Sequence, residues 1–326
     1  MEREREELMN VVRRSLSPDA QVEVPVSWEA YEEVKDILEG DNEKYPRLWY
    51  DSARSMAIVV APPSDLHGSM ASELASRIRD EVTRIHGLHA DMTAGLSTRS
   101  DIESSRPTRH GLTTRAWDTA LVYTEGDRRT IMIAIEVGVS QSYTSLRAAI
   151  SWWMCGFGCR LGLGLAMSIS EGPRRNRRRQ TQHYLSFEEA EATVTELEDE
   201  LRNQRAQFPY GPLVINGVTW FGQVQNVVLE TYRAPGDDVP RETILEPTNS
   251  FNIVNEGQFV GVSVTPNLQE VVLRDCIPDH IIRIHGIEAI PVNFFHREWF
   301  ERQFGNAMIE NAVNRIWRNI RIGQAD

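Results

Sequence analysis

Between Thr130 and Val139 the chain runs through Ile131, Met132, Ile133, Ala134 and Ile135 without a polar break until Glu136. An unbroken apolar run of that length is the pattern of a strand covered on both faces. The stretch from Trp117 to Tyr123 is also rich in strand formers, and Glu125, Gly126 and Asp127 between the two runs carry turn chemistry. The pair therefore predicts a β-hairpin. Period-four spacing appears on either side of it. Met70, Leu74, Ile78 and Val82 predict a helix from about Leu66 to Ile85, and Leu146, Ile150, Trp153 and Met154 predict one beginning near residues 142–144. Ser27 is placed to cap a helix through Trp28, Tyr31, Val34, Ile37 and Leu38 that Gly40 stops. Arg47 to Ala61 reads as a second hairpin, ended by Pro62 and Pro63.

The remaining segments are less patterned. Residues 1–20 are charged and short of apolar periodicity, so a frayed helix or tail is expected. Residues 95–115, rich in Ser, Thr and Arg, read as a loop or irregular strand, and Arg160 to Ser170 as a returning strand. The order helix, hairpin, helix, hairpin, helix, strand predicts an α/β or α+β layer with a mixed sheet. A basic break at 172–179 follows. Ser186 and Glu189 then form a capping-box pattern that opens a helix carrying Ala190, Val194, Leu197 and Leu201. Strand-like runs at 226–232 and 268–273 and a closing helix over 294–320 complete the chain, with Phe295, Trp299, Met308, Ala312 and Trp317 as its buried stripe. The expected division is a charged N-terminal tail (1–24), a core (25–171), a basic loop and helix (172–207), and C-terminal strands with a closing helix (208–326).

Composition narrows the functional classes. The net charge of −12 argues against broad, charge-driven nucleic-acid binding but leaves room for a local positive surface. Only Lys35 and Lys44 are lysines, so no phosphate-binding loop with a lysine exists beyond position 44. Cys155, Cys159 and Cys276 lack the spacing of a zinc site and read as small buried thiols. No apolar run approaches the ~20 residues of a membrane span, and the N-terminus has no secretory pattern. An intracellular protein, nuclear or cytoplasmic, without a membrane partner is expected.

The candidate chemistry sits on the first hairpin. Reflecting the chain about residue 127 sets Asp118 opposite Glu136. Two carboxylates facing each other in a poorly solvated place repel, so one must hold a proton or a cation must lie between them. A hard divalent cation with oxygen ligands answers that need. The plainer alternative is a pair of ordinary polar residues at strand ends. His67, opening its helix, reads as a capping or packing residue or as a ligand contact.

The chain here resembles the restriction-endonuclease-like superfamily, whose motif is PD-(D/E)-x-K. Trp117 and Asp118 stand at the PD position, and Glu136, Val137 and Gly138 at the (D/E)-x-K position. Residues 27–31, Pro62 to His67, Glu136 to Ser140 and Leu146 to Trp153 are similar to the Uma-type branch and its fungal relatives. Over roughly 25–170 the resemblance implies a mixed central sheet flanked by helices, with an added C-terminal strand-and-helix segment. It also implies Mg²⁺ (or Mn²⁺) held by Asp118 and Glu136, and cleavage of DNA phosphodiester bonds. Gly138 takes the place of the motif lysine, so the resemblance implies that either Arg147 on the next helix or Gln141, which would orient a water without charge, stands in for it. Arginine stabilises charge but does not act as a base near neutral pH. His67 and the arginines Arg174, Arg175, Arg177, Arg178 and Arg179 are the candidate nucleic-acid contacts. The competing expectation is a catalytically inactive member of the same fold that binds nucleic acid or protein.

Overall fold

The computed structural model describes residues 1–40, 46–85, 88, 90–100, 103–108, 111–139, 143–156, 161–174, 184–185, 187–235, 243–261, 271–285, 290–318 and 321–322. The chain opens with α1 (Glu2–Val12), β1 (Gln21–Pro25), α2 (Trp28–Gly40), β2 (Arg47–Asp51) and β3 (Met56–Val60). The segment expected as a tail is thus folded. Leu8 and Val12, four residues apart on α1, are buried with Tyr31 and Val34 of α2, which gives a short, highly charged helix an apolar stripe to pack. Its four apolar residues, Leu8, Met9, Val11 and Val12, crowd into the last turns, too short a stretch to register as periodicity.

Next come α3 (Asp65–Arg84), α4 (Ala90–Thr93), β4 (Leu96–Ser100), β5 (Glu103–Thr108), β6 (Gly111–Ala116), β7 (Thr119–Glu125), β8 (Arg128–Val139), α5 (Tyr143–Gly156) and β9 (Leu163–Glu171). The expected helix α3 is present, with Ser64 Oγ accepting the His67 N–H at 3.3 Å as its cap. Residues 95–115 are corrected: they supply three strands. Their Ser/Thr/Arg composition hid this, because β5 and β6 hydrogen-bond into the edge of a small sheet instead of filling an apolar core.

The last third contributes β10 (Tyr184–Leu185), α6 (Phe187–Gln207), β11 (Leu213–Ile215), β12 (Val218–Phe221), β13 (Val224–Arg233), β14 (Asn249–Asn255), β15 (Gln258–Phe259), α7 (Asp279–His285), α8 (Arg297–Trp317) and β16 (Arg321–Ile322). In the run read as a strand over 268–273, Val272 forms one isolated bridge to Pro291 and Leu273 begins a 3-10 turn. Residues 268–270 and Ser186 lie outside the described residues.

Two sheets organise the chain. The larger has seven strands in the order β15-β14-β13-β9-β8-β7-β4, mixed because β8 and β9 run parallel while its other neighbours are antiparallel. The smaller is antiparallel, β1-β3-β2-β6-β5. The architecture is therefore mixed α/β, with a large mixed sheet flanked by helices. The C-terminal strands extend that sheet, since β13 pairs with β9 from Val224 to Arg233. On one face α3 packs between the sheet and α8, and on the other α5 packs on β8 and β9. Among the described residues no helix is long and apolar enough to cross a membrane.

Candidate active site

The hairpin of β7 and β8 turns at Gly126 and Asp127, where Glu125 pairs with Arg128 and Gly126 takes a positive φ of 56°. That turn centres the hairpin half a residue short of 127. A bulge corrects the offset: Val122 faces Ile131 but Leu121 faces Ile133, so Met132 is the extra residue. Beyond the bulge Thr119 faces Ile135, and Asp118, one step outside β7, stands across from Glu136. The reflection reaches the right partner through an irregularity that it did not contain.

Asp118 is tied down from two sides. Its Oδ2 accepts the Val137 N–H at 2.7 Å and lies 2.9 Å from His67 Nε2. Glu136, only 6 % exposed, is flanked on its other side by β9, where it pairs with Ala166. Its Oε1 accepts the Trp153 Nε1–H of α5 at 2.5 Å, and Trp153 packs tilted against Trp117 at a centroid distance of 4.1 Å. Burial, then the neighbouring Asp118 charge, pushes the Glu136 carboxyl well above the ordinary carboxylate range, against the Trp153 hydrogen bond and the charges of Arg115 and His67. The hydrogen bonds described engage one oxygen of each carboxylate, Asp118 Oδ2 and Glu136 Oε1.

His67 projects from the first turn of α3 between two acids. Its Nδ1 lies 3.1 Å from Asp19 Oδ1. Burial alone would lower the imidazole, but the charges and hydrogen bonds of Asp118 and Asp19 outweigh it and raise His67 to about 10. Asp19 is held in the left-handed region, φ 62°, and its Oδ1 also accepts the Ser64 N–H at 2.7 Å. Burial works to raise the Asp19 carboxyl, yet His67 and Ser64 keep it below its usual range.

These groups line one end of a cavity of about 540 Å³ between the two sheets. The small sheet forms the facing wall with Glu23, Arg47, Trp49, Arg54 and Arg115, and the first turns of α5 contribute Thr144, Ser145, Ala148 and Ala149. Arg54 grips Glu23 with both guanidinium ends, one contact at 2.8 Å. Burial lowers the Arg115 guanidinium, and Glu136 is the foremost charge opposing that shift.

The structure brings Asp118, Glu136 and His67 together, but it turns Arg147 away. Arg147 Nη2 donates to the Leu245 carbonyl at 2.9 Å, the guanidinium pairs with Glu246, and it lies 5.5 Å from the Tyr143 ring centre. The role expected of Arg147 is corrected on geometry. Positions 144, 148, 145 and 149 face the cavity at helical spacing, so residue 147 points to another side of α5. Gln141, Arg175, Arg177, Arg178 and Arg179 lie outside the described residues. Arg174 sits 3.7 Å from Glu171 and lines a separate cavity of about 230 Å³ with Arg315 and Arg318. Sequence reasoning missed Asp19, Trp49 and Arg115. Arg115 falls in a strand of Thr and Arg without an apolar pattern, which left its face unmarked in the sequence. Among the described residues no group of three or more His, Cys, Asp or Glu side chains is placed to hold a metal ion. Compared with known proteins, the chain matches no family model, no curated protein and no solved structure.

Proposed function

We propose that the chain is a Mg²⁺- or Mn²⁺-dependent phosphodiesterase acting on DNA, built on a restriction-endonuclease-like scaffold. The observation that carries this reading is the pairing of half-buried Asp118 with buried Glu136 on the lining of one cavity, where repulsion from Asp118 helps push Glu136 toward its protonated form. The order of the elements on the large sheet supports the scaffold: α3, β4, then, after β5 and β6 have joined the small sheet, the aspartate just before β7, the glutamate on β8, α5 and a β9 parallel to β8. An intracellular site of action, nuclear or cytoplasmic, belongs to the same reading.

The donor set fits a metal held by two carboxylates that keeps water in its remaining positions, as Mg²⁺ prefers. Asp118 and Glu136 would hold it through the oxygens left by Val137, His67 and Trp153. When bound, the metal supplies water activation and charge stabilisation at the phosphodiester. His67, positively charged at neutral pH, fixes the orientation of Asp118. Arg115 approaches Glu136 from the opposite wall and takes over the electrostatic duty of the motif lysine, whose place Gly138 occupies. The Thr144 side chain offers a hydroxyl donor to substrate oxygens.

One observation favours a second reading. His67 already gives Asp118 a positive partner, which suits a descendant that binds nucleic acid without cleaving it. Calorimetry with Mg²⁺ and Mn²⁺ on the wild type and Glu136→Gln, beside cleavage of plasmid DNA, separates the two. Metal binding and cleavage that both vanish in Glu136→Gln support the phosphodiesterase, and metal binding without cleavage supports the inactive descendant. If no metal-dependent heat or rise in melting temperature is seen, the site is structural and the metal reading is wrong. A bound metal stabilises the fold by about 2.7 kcal/mol at a hundredfold excess over Kd.

A further inference from the structure

The phosphodiesterase reading leaves open the form of the nucleic acid, and the wall opposite the carboxylates bears on it. The small sheet has two unlike faces. One, with Leu48, Tyr50, Ala57 and Val59, is buried under α1 and α2. The other faces the cavity. Across it, strand pairing sets Glu23 beside Ile58 and Ile58 beside Trp49. The register that pairs Tyr50 with Thr114 sets Trp49 next to Arg115. Arg47 lies two residues before Trp49 on the same strand, beside Val60. Ile58, Trp49, Arg47, Val60 and Arg115 all line the cavity. The wall is thus an aromatic ring set in an apolar strip with a guanidinium on two of its sides.

We infer that this cavity takes a single unpaired strand of nucleic acid, with a base stacked on Trp49 and its neighbouring phosphates directed to Arg47 and Arg115. An aromatic platform interleaved with cations is what sequence-tolerant binding of unpaired bases requires, because every base has a π-face to stack. Size points the same way. About 540 Å³ is the volume of a small-molecule site and holds no more than a nucleotide or two. A duplex, whose major groove alone is about 12 Å wide, is too broad to bring a phosphate down to a carboxylate that is 6 % exposed. The wall is also local, which reconciles nucleic-acid binding with a net charge of −12.

The test uses the full chain carrying Glu136→Gln, so that binding is read without cleavage. Its probes are a fluorescein-labelled 12-nucleotide DNA, single-stranded or annealed to its complement, followed by fluorescence anisotropy. The single strand should bind at least tenfold more tightly than the duplex. Adding Trp49→Ala should weaken single-strand binding by roughly 5- to 150-fold, the range for loss of one base–aromatic stack, while Trp49→Phe stays close to the parent. Trp49→Leu, which keeps apolar volume in the strand but removes the ring face, should behave like Trp49→Ala and covers the case in which the alanine variant fails to fold. Equal binding of single strand and duplex, or Trp49→Leu binding like the parent, overturns the inference. If wild type then also cleaves duplex as fast as single strand, the phosphodiesterase reading survives alone. Absence of binding to either form overturns the inference, and absence of cleavage of either form by the wild type in Mg²⁺ or Mn²⁺ overturns the phosphodiesterase reading as well.

Discussion

The charge on His67 is the feature most directly open to measurement. Between Asp118 and Asp19 its pKa rises from 6.5 to about 10, and the sign of the stability effect follows from proton counting. Below pH 6.5 both folded and unfolded chains hold the proton, so the full benefit is present. Between 6.5 and about 10 the folded chain keeps a proton that the unfolded chain has lost, so stability falls as pH rises. The slope for one proton is about 1.4 kcal/mol per pH unit, and the interval is worth at most about 5 kcal/mol. The His67 side chain is 16 % exposed, so little of this is screened, although Asp19 and Asp118 share it. Below the ordinary carboxylate range the same contacts fail in the other direction, because the depressed Asp19 takes up its proton only at lower pH. Urea unfolding from pH 6 to 10.5 should show a decline of several kcal/mol for wild type, and His67→Gln should be nearly flat over that window. The ring proton of His67 followed by NMR should titrate near the upper end, and Asp118→Asn should move it down toward 6.5. Parallel pH profiles for wild type and His67→Gln would refute the ion triad.

Two further outcomes follow from the same geometry. Arg115→Ala should lower cleavage by about 10²- to 10³-fold, the usual loss of one transition-state charge stabiliser, whereas Arg147→Ala should leave cleavage within about threefold. The reverse ranking in a plasmid-nicking assay would restore the role that geometry denies to Arg147. Because the raised carboxyl of Glu136 must release its proton to bind a cation, Mg²⁺ affinity measured by calorimetry should climb as pH rises above the ordinary carboxylate range. An affinity flat with pH, with no proton release between buffers of different ionisation heat, contradicts a protonated Glu136.

The parts of this structure legible in the sequence are those written in short-range periodicity. Met70, Leu74, Ile78 and Val82 are fully buried on α3 as their spacing requires, and the apolar run of β8 announces a strand covered on both faces. The Asp118–Glu136 pairing was legible only because a bulge at Met132 offset the true centre of the turn. Asp19 was not legible. It is one polar residue in a turn, and its role depends on meeting a histidine 48 positions away. Arg147 misled for a related reason. It follows the glutamate strand closely in sequence, but position on a helix is set by angle, and the small residues Thr144, Ser145, Ala148 and Ala149 mark the side of α5 that faces the cavity. A helix face of small side chains beside a carboxylate pair was the better signal.

Charge pairing within the cavity explains why Glu136 is the carboxyl pushed upward. Glu23 is taken by Arg54, and Asp19 and Asp118 divide one imidazolium between them. Glu136 has an indole donor and the long-range field of Arg115, neither of which repays the burial of a carboxylate beside another one. Among the described carboxylates that line the cavity, Glu136 is the one without an ion pair. A proton would offset its charge and, in the proposed reading, so would a divalent cation. In the proposed reading, the tightness of Asp118 would serve the same end. With Val137 and His67 fixing one of its oxygens, the other is held in place before any cation arrives, and a preorganised ligand loses less freedom on binding.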